Sequence, residues 1–257
     1  DLLKAEQIEM SWRTGFALIN HYVANNQWQK AVETGKKYTK KYPSNYYIGL
    51  KYAKALCETG QYQPCISLLS RMQVLPNEGS YAGRAVYREA NLYRAMEQLS
   101  HKNYKQVVKS VETSKEWPEN LGVGKPYDNM IDNRLEDYLE AKAAAGQGDS
   151  RKTSALLAAV ADYTISRSHF ESGNLLSALA LRESGKVQEA DHMVAAWSTD
   201  FPENRVVQWC TAIYRGEKEK AVGMLQSRND QTNTTHWEAS FRDSNFDLIV
   251  RLFSTEQ

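Results

Sequence analysis

The stretch WRTGFALINHYVANNQWQKAVETGKKYTKKYP, residues 12–43, decides the fold class. Its apolar residues Trp12, Phe16, Ile19 and Tyr22 recur at three- and four-residue spacing, which lays them along one face of a helix. Asn25 and Asn26 then interrupt the pattern as a turn. Trp28, Ala31, Val32 and Gly35 open a second amphipathic stretch. It ends at Pro43, which has no N–H to donate and clashes with the preceding turn of a helix. The reading is helix, tight turn, helix. The next segment, YYIGLKYAKALCETGQYQPCISLLSRMQVLP (residues 46–76), repeats the plan, with Gly60 in the turn and Tyr62 opening the second helix.

The two copies keep a fixed register, because Trp28 to Tyr62 and Ala31 to Cys65 are both 34 residues. Looser copies follow in HKNYKQVVKSVETSKEWP, AAAGQGDSRKTSALLAAV, RESGKVQEADHMVAAWSTDFP and YRGEKEKAVGML. One small or β-branched residue marks each copy. These are Ala31, Cys65, Val107, Thr153, Ala190 and Ala221, at steps of 34, 42, 46, 37 and 31 residues. The 34-residue period and the aromatic and small positions after the turn resemble the tetratricopeptide repeat. Only the first step matches that family's period, so longer helices or insertions are expected in the middle of the array.

The resemblance implies an all-α, tetratricopeptide-like solenoid of about six helix pairs, irregular in the middle, with a C-terminal cap. It treats residues 1–257 as one domain, with repeats over about 9–228 and the cap over about 233–254. Each hairpin exposes an apolar stripe that only a neighbouring hairpin can bury, and small residues let the helices approach. The tail THWEASFRDSNFDLIVRLFS (residues 235–254) brings Trp237, Phe241, Phe246, Leu248, Ile249 and Phe253 at helical spacing, the composition of a capping helix pair. Asp243 or Ser244 is placed to cap its final helix.

Such arrays commonly hold a protein or peptide on their concave face. Phe16, Asn20, Tyr47, Leu50, Lys54, Leu92 and Tyr138 are the positions that the resemblance places on that groove. Phe16 and Leu50 stand where arrays that clamp a C-terminal carboxylate carry cations or Asn, which argues against that subclass. A non-catalytic interaction module is therefore expected, with no cofactor, metal or catalytic residue. PENLGVGKP, residues 118–126, also resembles an uncharacterised bacterial family in which a tetratricopeptide array follows a β-sandwich domain similar to sugar-processing folds. That resemblance implies an alternative, a helical arm of a larger glycan-associated protein, and leans the chain toward an extracytoplasmic compartment. The first residue, Asp1, fits the same expectation of an upstream segment.

Composition narrows the field further. The chain is 42% hydrophobic and 25% charged, ordinary for a folded domain. Its apolar residues are broken too often for the roughly 20-residue run of a membrane span. Residues 1–120 carry 17 Lys+Arg against 11 Asp+Glu, leaving 15 against 20 in the remainder, so the halves differ in sign. The pI of about 7.8 is well short of a nucleic-acid binder's basic footprint. Lys36 to Lys41, the densest basic run, falls at a helix end where cations favour the dipole. Three cysteines, Cys57, Cys65 and Cys210, make neither a disulfide framework nor a zinc site and read as buried thiols.

One stretch invites a chemical reading. WPENLGVGKPYDN (residues 117–129) gathers glycine, lysine and proline between helical segments. A phosphate-binding loop of the G-x-x-x-x-G-K-[ST] type needs a first glycine and a hydroxyl after the lysine. Glu119 and Pro126 occupy those places. The stretch is read as a surface connection between repeats, with Trp117-Pro118 ending one helix and Asp128 or Asn129 starting the next. Asp128, Asp132, Glu136 and Glu140, at four-residue intervals, read as a solvated acidic helix face. The five histidines, His21, His101, His169, His192 and His236, have no metal-ligand spacing. Asn233-Thr234-Thr235 is the single N-x-T sequon.

Overall fold

The computed structural model describes residues 1–76, 81–165, 169–228 and 243–254, excepting the side chains of 165, 227 and 228. The described residues contain fourteen α-helices and no strand. They are α1 (Leu2–Ile8), α2 (Trp12–Ala24), α3 (Trp28–Lys41), α4 (Tyr46–Glu58), α5 (Tyr62–Leu69), α6 (Ala82–Ser100) and α7 (Tyr104–Ser114). There follow α8 (Arg134–Gly146), α9 (Ser150–Ile165), α10 (Gly173–Glu183), α11 (Val187–Asp200), α12 (Arg205–Tyr214), α13 (Lys218–Arg228) and α14 (Phe246–Ser254). From α2 to α13 they form six consecutive helical hairpins, the all-α plan expected from the sequence.

All six hairpins turn in the same way. The residue ending each turn's left-handed step is Asn26, Gly60, Lys102, Gly148, Gly185 or Gly216, with φ between 54° and 82°. Each donates its N–H to the carbonyl three residues back, as in Gly60 N–H to Cys57 O at 3.1 Å. The next residue donates five residues back, as in Gln61 N–H to Leu56 O at 2.9 Å. This paired arrangement satisfies carbonyls that the end of a helix leaves without partners. The left-handed residue lies five positions before each of Ala31, Cys65, Val107, Thr153, Ala190 and Ala221. Five of these six residues are at most 1% exposed, and Thr153 is half-buried. The uneven steps of the sequence are thus the steps of the turns.

Two of the links between hairpins also match. Tyr42-Pro43-Ser44-Asn45 and Phe201-Pro202-Glu203-Asn204 both end on an asparagine whose side chain caps the next helix, Asn45 accepting from Ile48 N–H and Asn204 from Val206 and Val207.

The chain divides into two compact units, Asp1–Arg94 with Glu112–Met130, and Ala95–Val111 with Ile131–Gln257. In the first, α2, α3, α4 and α5 each touch the next, and α2 also touches α4. Close approach depends on glycine, since a Cβ on Gly15 would lie 2.2 Å from the Tyr38 ring and one on Gly35 would lie 2.6 Å from Tyr52. Glu6 ties α1 down by accepting from Lys37 Nζ (2.8 Å) and the Tyr38 hydroxyl (2.9 Å).

Here the connection after α7 departs from the surface spacer expected. Asn120 Nδ2 donates to Leu69 O (2.9 Å) and Met72 O (2.7 Å), and Val74 N–H donates to Asn120 O. Leu121 is fully buried, and Gly122, at φ +76°, lies so close to Val74 O that an added Cβ would sit 3.0 Å away. Exposure along the connection is confined to Glu116, Glu119, Gly124, Lys125 and the residues from Tyr127 to Met130. Asp128 begins a 3-10 turn rather than a helix, and α8 starts at Arg134 after Asn133.

In the second unit, α8 to α13 each touch the next, while α8 touches α10 and α10 touches α12. The acidic stripe expected to be solvated is mostly buried, with Glu136 at 1% and Glu140 at 8% exposure. Glu140 is paired with Lys152 at 2.8 Å. Asp132 is half-buried beside Arg134, and only Asp128 is solvated. Arg134 is the hub of a buried polar network. Its guanidinium donates to Asp132, Glu171, Thr164 and Asn174 and lies over the Tyr163 ring at 4.6 Å. Gly173 makes room for it, since a Cβ there would fall 2.5 Å from Arg134 Cζ.

At the C-terminal end α14 buries Phe246, Leu248, Ile249 and Leu252, and Phe246 packs edge-on to Trp209 with ring centroids 5.3 Å apart. Asp243 lies at the start of α14, its carbonyl accepting from Phe246 N–H at 3.3 Å. Its carboxylate accepts from Asn245 N–H at 3.1 Å and from Ser172 N–H at 2.6 Å, while Ser244 is exposed. Trp237, Phe241, His236 and the Asn233 sequon lie outside the described residues.

Candidate functional site

Trp12, Phe16 and Asn20 are four residues apart on α2, so they share one side of the helix. Tyr47, Leu50, Lys51 and Lys54 make the corresponding stripe on α4. Because α2 and α4 touch, the two stripes become one face. Tyr47, 49% exposed, joins them by stacking on Trp12 (6.2 Å between centroids, 18°) and meeting Phe16 edge-on (6.4 Å, 82°). Tyr46 stacks on Tyr47 at 4.3 Å.

Cations flank these rings. The exposed Arg13 guanidinium lies 4.6 Å from the Trp12 centroid, and Lys51 Nζ lies 5.8 Å from that of Phe16. Neither has an acidic partner among the described residues. Lys54 differs, because its ammonium bonds Glu58 at 2.6 Å and Glu89 at 2.6 Å. Burial opposes its charge, but the carboxylates of Glu89 and Glu58 outweigh that and hold it above the usual lysine range. It is a neutralised cation within the helix packing.

Of the seven groove candidates, Phe16, Asn20, Tyr47, Leu50 and Lys54 fall on the α2/α4 pair. Leu50 is wedged against α6, where a Cβ on Gly83 would lie 3.3 Å from its Cδ2. Leu92 is fully buried and Tyr138 is 3% exposed, its hydroxyl donating to Glu183 at 2.7 Å, so neither offers a surface. Trp12, Arg13, Tyr46 and Lys51 belong to the face but lie outside the sequence-based set. The four-residue step from Trp12 to Phe16 is the signal available for Trp12.

Other chemistry is sparse. Among the described residues no group of three His, Cys, Asp or Glu is placed to hold a metal ion. His21, His101, His169 and His192 are exposed. Cys57, Cys65 and Cys210 are buried free thiols, and burial pushes Cys210 well above the ordinary thiol range. No helix among the described residues is long and apolar enough to cross a membrane. The fold and its face thus define an all-helical hairpin array with an aromatic, cation-flanked surface. Comparison with family models, curated proteins and solved structures returned no match.

Proposed function

We propose that this chain is a non-catalytic scaffold of the tetratricopeptide type that holds a protein or peptide partner on the α2/α4 face. The observation carrying this reading is Tyr47 of α4, a large aromatic side chain left 49% exposed against Trp12 and Phe16 of the adjoining hairpin. Aromatic side chains offer large contact area at low entropic cost and dominate binding hot spots. The unpaired Arg13 and Lys51 beside them supply direction and charge selectivity. A glycan platform fits less well, because Trp12 and Phe16 already have a cation and a tyrosine ring against them.

The test replaces Tyr47 by the photo-crosslinker p-benzoylphenylalanine and, separately, the exposed Lys36 of α3. Irradiation in extract from the source cell is expected to give a discrete adduct from position 47 that is missing from position 36. Equal adduct patterns from both positions, or none from position 47, would contradict the assignment.

A further inference from the structure

A second site lies at the C-terminal end of the second unit, independent of the α2/α4 face. A cavity of about 270 Å³ opens between α10, α12, α13 and α14. It is a cleft open to solvent on one side, where Arg182, Gly216, Lys218, Val222 and Ser254 of its lining are exposed. It is slightly below the usual ~300–1,000 Å³ range of ligand pockets. Trp209, Ile213, Leu225 and Phe253 form its apolar wall. Arg182 and Lys218 also line it, and both are exposed, which puts their charged ends at the mouth.

The two cations are what give the cavity a chemical preference. Arg182 is held in place by stacking 4.7 Å from the Tyr214 centroid and by one bond, Nη1 to Tyr214 O at 2.8 Å. Its Nε and Nη2 donors have no protein acceptor among the described residues. Lys218 has no acidic partner among them either, while its neighbour Glu217 is paired with Lys220 at 2.8 Å. Asp191 accepts from the Tyr214 hydroxyl at 2.8 Å. A fixed guanidinium with a free edge matches a carboxylate, which it can grip with two parallel bonds.

We infer that this cavity is a binding site for a small amphipathic carboxylate, its anionic end held by Arg182 and Lys218 and its hydrocarbon end against Trp209, Ile213, Leu225 and Phe253. Volume limits the apolar part to a medium-length aliphatic chain or a single ring. The carboxylate replaces water on two unpaired cations, and the tail fills apolar space that packing leaves open.

The probe is octanoate, titrated calorimetrically into the full chain beside octanamide, which keeps the tail and removes the charge. Saturable octanoate binding with Kd below about 1 mM is expected, with octanamide at least about tenfold weaker. Lys218→Gln, on an exposed side chain, is expected to weaken octanoate about tenfold. Leu225→Trp, which fills the cavity, is expected to abolish binding. Lys36→Gln, on α3 of the other unit, should change nothing. Absence of saturable octanoate binding by the parent chain would overturn the site. So would equal affinity for octanoate and octanamide. If Leu225→Trp fails to fold, Val222→Trp serves in its place, and undiminished binding by the folded variant would likewise overturn it.

Discussion

Glycine at 60, 148, 185 and 216 meets without strain the same backbone demand that asparagine at 26 and lysine at 102 meet at a cost. A left-handed conformation costs an ordinary L-residue roughly 1–2 kcal/mol, and asparagine less than most. Lys102→Gly should therefore stabilise the chain by about 0.5–1 kcal/mol, while Gly185→Ala should destabilise it by about 1 kcal/mol. A Cβ added to Gly185 would meet nothing within 4 Å, so packing cannot account for the loss. Urea denaturation of both variants checks the opposite signs. A single-residue test of close packing is Gly15→Ala, whose methyl would enter the Tyr38 ring and cost about 1–3 kcal/mol. Glu6 adds a pH dependence. Bonding to Lys37 holds its carboxyl below the ordinary carboxylate range, against the opposing effect of burial. A depressed folded-state pKa gives stability that is present above the unfolded value and lost as pH falls through the folded one. The attachment of α1 should weaken on acidification below the ordinary carboxylate range, and Glu6→Gln should remove that dependence. Hydrogen exchange of the α1 amides against pH reads it directly.

Helices were legible in the sequence because their apolar periodicity is local, and so were the turns at Asn25-Asn26 and Gly60. The connection after α7 was not. Gly122, Gly124, Lys125 and Pro126 have the composition of a surface loop, yet Asn120 is held by carbonyls about fifty residues earlier in the chain. No local pattern reports such a partner. Asn120→Ala removes two side-chain bonds to carbonyls and should cost about 1–3 kcal/mol. Lys125→Ala, at an exposed pair with Asp128, should change stability by less than about 0.5 kcal/mol. Equal effects of the two in chemical denaturation would mean that the segment is not docked. The same logic explains α8. Four-residue spacing of Asp132, Glu136 and Glu140 reads as a wet face, but Lys152 of α9 neutralises Glu140, and the buried Arg134 engages Asp132. The α2/α4 face was half legible. Of the positions that the resemblance put on a groove, Phe16 and Tyr47 come together on this face, whereas the burial of Leu92 and Tyr138 depends on tertiary packing that no local pattern encodes.

Across the whole chain, one sequence feature carries the organisation. The small positions from Ala31 to Ala221 are spaced unevenly, and the left-handed turn residues repeat that spacing five positions earlier. Irregular steps therefore come from helices and connections of different length around a constant turn. The six turns, each closed by the same two backbone bonds, set where every second helix begins and which residue it buries against its partner. Residue-specific backbone chemical shifts of the perdeuterated chain test this register most directly. The expected result is helical shifts from α2 to α13 broken by positive-φ shifts at Asn26, Gly60, Lys102, Gly148, Gly185 and Gly216. Helical shifts running unbroken through several of these positions, or extended-strand shifts in the flanking segments, would contradict it.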